Sequence, residues 1–272
     1  DTADMLELTS HIWEGNDYLP QVWDEWLADA DGFLAIAEYG GIVVGIAMLE
    51  CQQAGEWYLA GLRVHPEMEG RGIAGRLHDF ILDYWQRQYG WGVIRLVTYR
   101  AKVKHLCERT GFTQKCEFTI FVAPSLPEAV NSFVPATRDQ VEQILDLGYT
   151  SPMFNWLGQM YGHGWSWSSP QPKFIEQAIE KQRAWMWRDG LGALVTGEDS
   201  DDDGPLPYIA WLGCSEQLLP ELLQDYRRFA AAQGYQKVSW VASLHPELQR
   251  YLVGAGFRQD WDIALTLLER KS

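Results

Sequence analysis

Four cysteines, Cys51, Cys107, Cys116 and Cys214, are too few and too scattered for a disulfide framework, and none forms a CxxC pair. The six histidines are equally dispersed, so the sequence predicts no metal site. Basic residues are also scarce, with 22 Lys+Arg against 37 Asp+Glu and a net charge of -15. That balance argues against nucleic acids and membrane surfaces as partners, because both are bound through basic faces that release counterions. No window approaches the roughly 18 uninterrupted apolar residues of a membrane span. The start, Asp1-Thr2-Ala3-Asp4-Met5, lacks the basic and then apolar pattern of a secretion signal, and a cytoplasmic protein with reduced thiols is expected. The same residues read as a helix cap with no initiator Met and no strand before it, so the natural chain, and a first strand, are expected upstream.

What the chain does have is bulk and aromatic surface. Its 272 residues are 47% apolar, enough for one large domain or two of half that size, and its 14 Trp exceed what such a core needs. Some of them are expected to line a pocket. Two short helices (3–13 and 18–29) come first. A strand meander follows over 33–38, 42–50 and 56–65, with a turn at Tyr39-Gly40-Gly41. After Pro66 the apolar period changes from two to that of a helix over 76–89, followed by a strand (93–99), a helix (101–109) and a strand (116–122). Pro124-Ser125-Leu126-Pro127 opens a linker over 124–134, after which helix (135–147), hairpin (184–196), strand (207–212), helix (217–233), strand (238–243), helix (246–253) and strand (262–268) return in order. Laying Gly111-Phe112 on Gly256-Phe257, an offset of 145, pairs Val93–Val97 with Val238–Ala242 without a gap. The expectation is two similar domains, 1–123 and 135–272, each a mixed, mostly antiparallel sheet flanked by helices, in the α/β (α+β) class.

Gly70-Arg71-Gly72-Ile73-Ala74-Gly75 leads from the third strand into a helix, aiming several backbone N–H groups and the positive helix end at one spot. Such a spot suits a phosphate. It lacks the Lys-Ser/Thr of a Walker loop and the GxGxxG spacing of dinucleotide folds, and it follows an antiparallel meander. Val64, Pro66, Glu69, Gly72 and Ala74 resemble the acyl-CoA signature of the GNAT superfamily of N-acyltransferases, Val-x-Pro followed by Gln/Arg-x-x-Gly-x-Gly/Ala. The helix closing at Gly111-Phe112 and the element order over 3–123 resemble that family as well. The Asp17-Tyr18-Leu19-Pro20 run also resembles its histidine N-acetyltransferase branch, itself built of two such domains.

The resemblance implies acetyl-CoA as cosubstrate. Backbone groups of Leu62, Arg63 and Val64 would pair with the pantetheine arm, and N–H groups of Gly70, Arg71, Gly72, Ile73, Ala74 and Gly75 would hold the pyrophosphate. Three residues depart from the family. Glu69 stands in place of Gln or Arg, Arg100 in place of a common Asn, and Cys107 in place of the Tyr that often protonates the leaving thiolate. Amine acylation needs a base or a water path. The positions eleven and nine before Glu69, where relatives carry Glu or His, hold Tyr58 and Ala60. Period-2 geometry predicts that Tyr58 shares a face with Glu56, Leu62 and Val64, which makes Glu56, acting through Tyr58 or a water, the expected base. Asp17, Tyr18, Trp23 and Trp26 are the expected acceptor-site residues, carboxylate and aromatic walls for an ammonium group.

The second half enters its helix through Gly213-Cys214-Ser215-Glu216-Gln217 without repeated glycines, and no CoA site is expected there. Tyr161-Gly162-His163-Gly164-Trp165-Ser166-Trp167 reads as a lid over the acceptor cleft or a packed connection. Asp199-Ser200-Asp201-Asp202-Asp203-Gly204 imitates a calcium loop but lacks its closing Glu, and reads as a hairpin tip. The expected function is acetyl transfer to the primary amine of a small, amino-acid-like molecule by a monomer or homodimer. A non-catalytic acyl-CoA sensor and a protein N-acetyltransferase are the alternatives.

Overall fold

Alternating and continuous apolar runs become the strands of the molecule, and helical-period stripes cover them. The computed structural model describes all residues except 1, 128–131, 164, 202 and 203, and the side chains of Trp13 and His163. Contacts divide the chain into two units, Asp1–Gln114 with Leu268–Ser272, and Lys115–Leu267.

In the first unit, α1 (Thr2–Ser10) and α2 (Leu19–Ala28) precede β1 (Phe33–Tyr39), β2 (Ile42–Gln53) and β3 (Glu56–Val64), an antiparallel meander. Then come α3 (Ile73–Gln88), β4 (Val93–Thr98) and α4 (Ala101–Arg109). β4 lies parallel to β3. Both faces of this sheet are covered. Val44, Ala47 and Leu49 of β2 pack with Ile73, Leu77, Ile81 and Trp85 of α3, while Val43, Ile46 and Met48 pack with Met5, Leu8, Leu19, Trp23 and Trp26 of α1 and α2. Each fully buried side chain of this size stabilises the fold by about 1.5–3 kcal/mol.

The second unit holds β5 (Thr113–Pro124) from Lys115 on, β6 (Phe133–Pro135), α5 (Val141–Tyr149), α6 (Pro152–Trp156), the hairpin β7 (Tyr161–His163) with β8 (Ser166–Ser168), and α7 (Pro172–Glu180). After these come β9 (Ala184–Trp187), β10 (Gly192–Asp201), β11 (Gly204–Cys214), α8 (Leu219–Ala232), β12 (Lys237–Ser243), α9 (Pro246–Gly254) and β13 (Arg258–Gln259). Its strands run β5-β12-β11-β10-β9-β6, with β13 against β5. The chain ends in β14 (Leu265–Lys271).

Membership of the closing strands follows pairing rather than sequence order. Residues 116–122 and 262–268 were expected to close the first and second domains respectively. Instead, β5 pairs with β12 from Phe118↔Ser243 to Pro124↔Lys237, and residues 268–272 join the first unit beside β4. Arg95 of β4 fixes that end: its buried guanidinium meets Glu269 of β14 at 2.9 Å and Glu56 of β3 at 2.7 Å. Removing one partner from such a buried charge set costs about 3–5 kcal/mol.

Several element bounds differ from the sequence reading. The first helix stops at Ser10, and a 3-10 turn follows at Trp13–Gly15. α5 starts at Val141 rather than Pro135, and β14 starts at Leu265 rather than Asp262. Within the aromatic run, Tyr161–His163 pairs with Ser166–Ser168 as β7 and β8, with Trp167 buried against Phe118 and Tyr161 stacked on Phe174, while Gly164 lies outside the described residues. Asp201 pairs with Gly204 across a hairpin tip whose Asp202 and Asp203 lie outside the described residues.

Candidate active site

A strand-to-helix turn builds the first half of the site. After Val64, His65 caps a short 3-10 turn (Pro66–Met68), and the chain passes through Gly70 and Gly72 with φ of 75° and 76°. Left-handed backbone costs an L residue roughly 1–2 kcal/mol, which is why glycine stands at both positions. A Cβ at either would meet nothing within 4 Å, so open space lies in front of the turn. Gly72 is the N-cap of α3, no side chain caps it, and the first intrahelical bond is Arg76 N–H to Gly72 C=O. The helix start at Ile73, Ala74 and Gly75 therefore offers backbone donors and a positive dipole end to an anion. Ile73 anchors the start by burying its side chain in the core, while Glu69, Arg71, Arg76 and Arg100 are exposed.

The second half of the site is the divergence of β3 from β4. Their parallel pairing covers only Glu56–Tyr58 with Val93–Arg95, after which residues 59–64 and 96–98 separate. Opposite Ala47 on β2, β3 carries two residues, Gly61 and Leu62, and Gly61 has φ of 60°. This bulge corrects the strand-face reading. One inserted residue reverses the alternation, so Leu62 and Val64 join Trp57 and Leu59 on the α3 face, away from Tyr58. Tyr58 faces the α2 side with Tyr18 and Glu50, and its hydroxyl meets the backbone of Val97. Burial, with Tyr18 and Glu50 nearby, pushes the Tyr58 phenol well above its usual range, so it keeps its proton. Glu56 is spoken for by Arg95 at 2.7 Å, and its carboxylate braces the β3–β4 junction.

On the acceptor side the four expected residues separate into two groups. Asp17 is buried and takes Arg63 in a two-pronged bond, 2.7 Å from Nε and 3.2 Å from Nη2, while also accepting the Leu19 N–H. Trp23 is buried in the helix–sheet core, its Nε1 donating to Thr2 Oγ1 at 3.1 Å. Both are corrected from substrate contacts to framework: Asp17 neutralises Arg63 next to the bulge, and Trp23 fills the seam under α1 and α2. Tyr18 remains open, 40% exposed, with Arg63 5.5 Å over its ring and Trp26 edge-on at 6.3 Å. Its hydroxyl meets the Gly61 backbone, and burial of that end raises the phenol's pKa.

Trp26 leads to a carboxylate that the sequence reading passed over. Its Nε1 donates to Glu50 Oε1 at 2.8 Å, and Gln52 Nε2 donates to Glu50 Oε2 at 3.0 Å. Glu50 sits directly across from Tyr58 in the β2–β3 register, at the head of the divergence. Burial lifts its pKa above the usual carboxylate range, Asp29 adds to the lift, and the two donated bonds oppose it. A half-buried carboxylate poised this way takes a proton more readily than an ordinary surface Glu. The available signal was its place as the lone acid ending the apolar run Ile42–Leu49, but only a second register shift, between Cys51 and Gln53 near the β2–β3 turn, sets it opposite Tyr58.

Residues 2–112 match the model of the acetyltransferase (GNAT) family. They form a GNAT-family domain. Probable N-acetyltransferase 16 of Homo sapiens is 37% identical over 95 residues, covering 34% of this chain and 26% of that protein. The histidine N-acetyltransferase of Xenopus tropicalis is 32% identical over 87 residues, covering 32% of this chain and 27% of that protein. The chain thus spans about a quarter of the length of the curated relatives it matches. Over nearly its whole length it shares the fold of the tandem GNAT protein from the clavulanic acid biosynthesis pathway, with a TM-score of 0.60, 12% identity, and coverage of 99% of this chain and 94% of that one. The fold class is accordingly that of a tandem GNAT protein.

Within the GNAT domain, Cys107 lies in the core with no exposed surface, and burial pushes its thiol up to about 12. It is a small apolar filler that stays protonated. Among the described residues, no helix is long and apolar enough to cross a membrane. Among its described residues, the second unit offers no matching cradle. α8 is entered through a 3-10 turn (Glu216–Leu218) that uses the Ser215 carbonyl, Pro220 follows in the first turn, and no described glycine between Gly204 and Gly234 has positive φ.

Proposed function

We propose that the GNAT domain transfers an acetyl group from acetyl-CoA to the primary amine of a small, amino-acid-like molecule. The observation that carries this reading is the uncapped start of α3 behind Gly70 and Gly72, next to the divergence of β3 from β4. When bound, acetyl-CoA supplies an electrophilic thioester carbonyl. Backbone groups over 62–64 would receive its pantetheine arm, and the N–H groups of 70–75 its pyrophosphate, with Arg71, Arg76 and Arg100 offsetting the charge of Glu69.

Glu50, rather than Glu56, is the base in this reading. It accepts the proton of the incoming ammonium group directly or through a water, while the neutral Tyr58 hydroxyl donates a hydrogen bond into the divergence. Tyr18 supplies a ring face for a cation, with the buried Trp26 packed edge-on behind it as a positioning residue for Tyr18 and Glu50, and the negative field of Glu50 and Asp29 favours a cation. The CoA thiolate is a good leaving group, so the domain needs no acid at Cys107. The curated relatives named histidine N-acetyltransferase make histidine the first amine to try.

The test is calorimetry with acetyl-CoA on the parent chain and a Gly72→Glu variant, then thiol release with a panel of amino acids and short basic peptides. Micromolar binding at one site per chain, lost in the variant, with thiol release on one amine supports the reading. Binding without thiol release on any amine would instead favour an acyl-CoA sensor, the alternative that the buried Cys107 supports. Thiol release on peptides alone would point to a protein substrate, and absence of binding would overturn the cradle.

A further inference from the structure

Glu7 and His11 stand one turn apart at the end of α1, and His65 follows the last residue of β3. One ligand atom from each lies within 4.8 Å of the other two. Glu7 Oε1 and His11 Nε2 are already 3.0 Å apart, and the His11 and His65 rings meet edge-on at 5.2 Å between centroids. No other described group bonds the Glu7 carboxylate or the His11 ring.

We propose that Glu7, His11 and His65 form a binding site for a borderline divalent metal ion, Zn2+ being the representative. Two imidazoles and a carboxylate are the donor set of zinc, nickel, cobalt and copper sites, whereas calcium and magnesium take oxygen donors. Metal–ligand bonds of 2.0–2.2 Å place tetrahedral ligand atoms about 3.3 Å apart. The Glu7–His11 edge is at that value within a few tenths of an ångström, and the longer edges close by side-chain rotation. Glu7 is 71% and His11 46% exposed, which leaves both free to rotate and keeps a fourth position open to water. The chain's charge of -15 adds a long-range attraction for cations.

The site is tied to the glycine turn. His65 Nδ1 accepts the Glu67 N–H at 3.3 Å, the cap of the Pro66–Met68 turn that runs on to Gly70. Ligation through Nδ1 uses that lone pair. Ligation through Nε2 leaves the proton of the neutral ring on Nδ1. By either route the Glu67 N–H is released, so metal binding is coupled to the start of the cradle.

The experiment is titration of the full chain with ZnCl2 by calorimetry and with CoCl2 by visible absorption, for the parent and for His11→Ala, His65→Ala and His105→Ala. Circular dichroism checks that each variant is folded. One ion per chain is expected, weakened at least about tenfold in His11→Ala and in His65→Ala and unchanged in His105→Ala. On adding zinc, the Glu67 amide signal should shift in a proton–nitrogen correlation spectrum. Absence of saturation up to about a millimolar zinc in the parent, or equal affinity in folded His11→Ala and His65→Ala, would overturn the site.

Discussion

Gly61 holds the bulge, the acceptor-side indole and the proposed base in register, so Gly61→Ala perturbs all three. Its φ of 60° is left-handed, which costs an alanine roughly 1–2 kcal/mol. The new Cβ would stand 2.4 and 2.7 Å from two ring atoms of Trp26, where carbon atoms normally rest at about 3.5–4.0 Å. The indole has to retreat by about an ångström, yet Trp26 is only 7% exposed and packed among Met5, Leu8, Leu19 and Trp23. Overpacking of that kind costs about 1–3 kcal/mol. If the retreat also breaks the Trp26–Glu50 bond, a charge-assisted bond is lost, worth about 1.5 kcal/mol more. The expected destabilisation is about 3 kcal/mol or more, read from urea denaturation followed by circular dichroism. The bond from Trp26 is one of the influences holding the Glu50 pKa down, so the acid limb of the rate profile should move to higher pH. Trp26→Phe separates the two effects, removing the N–H without the clash. A cost below about 1 kcal/mol for Gly61→Ala would show that the indole is not wedged on the bulge, and an unmoved acid limb in Trp26→Phe would refute the link to Glu50.

Two further perturbations probe the domain. Glu50→Gln should lower kcat by about a hundredfold or more while leaving acetyl-CoA affinity within about twofold, and turnover within about threefold of the parent would remove Glu50 as base. Since Glu50 works ionised and burial raises its pKa, activity of the parent should fall with decreasing pH from above the usual carboxylate range, and that limb should be absent from the residual rate of the variant. His78 is buried, bonds Thr110 Oγ1 at 2.8 Å, and is drawn down to about 4 by burial. Its folded pKa lies below its unfolded one, so its contribution is full above about pH 6.5 and is lost as pH falls through 4, at most about 3 kcal/mol. Denaturation curves at pH 7 and pH 5 measure this loss, and His78→Gln should reduce it. An equal loss in the variant would assign the acid sensitivity elsewhere.

The glycine turn was legible because left-handed backbone leaves a direct mark on residue choice, and Gly70 and Gly72 both have positive φ. The strands and helices of the first unit were legible from apolar period for the same kind of local reason. The bulge was not. Gly61 alone does not announce an inserted residue, and counting in twos past it sends every later side chain to the wrong face. Asp17 and Arg63, 46 residues apart, each had a separate expected role, one with an ammonium and one with CoA, and only tertiary structure brings them together. Trp23 and Trp26 sit three apart on one helix face, a spacing that cannot tell a core filler from the indole that reaches Glu50. Membership of β5 and residues 268–272 was hidden because periodicity identifies a strand without identifying its neighbour.

The two halves share a scaffold in kind and differ at the helix entry. In the first, the chain after β3 passes through the left-handed Gly70 and Gly72 and leaves the start of α3 without a side-chain cap. In the second, Leu218 N–H turns back onto the Ser215 carbonyl and Leu219 N–H onto that of Glu216, and proline, which has no N–H, occupies the first turn of α8. These are local answers to the same unmet need, the orphan donors of a helix start, and a start satisfied from within has less to offer an anion. The sheet beneath is preserved in kind, since β11 meets β12 in parallel at Tyr208↔Ser239 much as β3 meets β4 at Tyr58↔Arg95, and β11 carries its own irregularity at Ala210. On the proposed reading, what separates a binding half from a scaffold half is therefore a handful of residues at one turn. That asymmetry is why a single acetyl-CoA site per chain is expected, and a second site of similar affinity that survives in Gly72→Glu would contradict it.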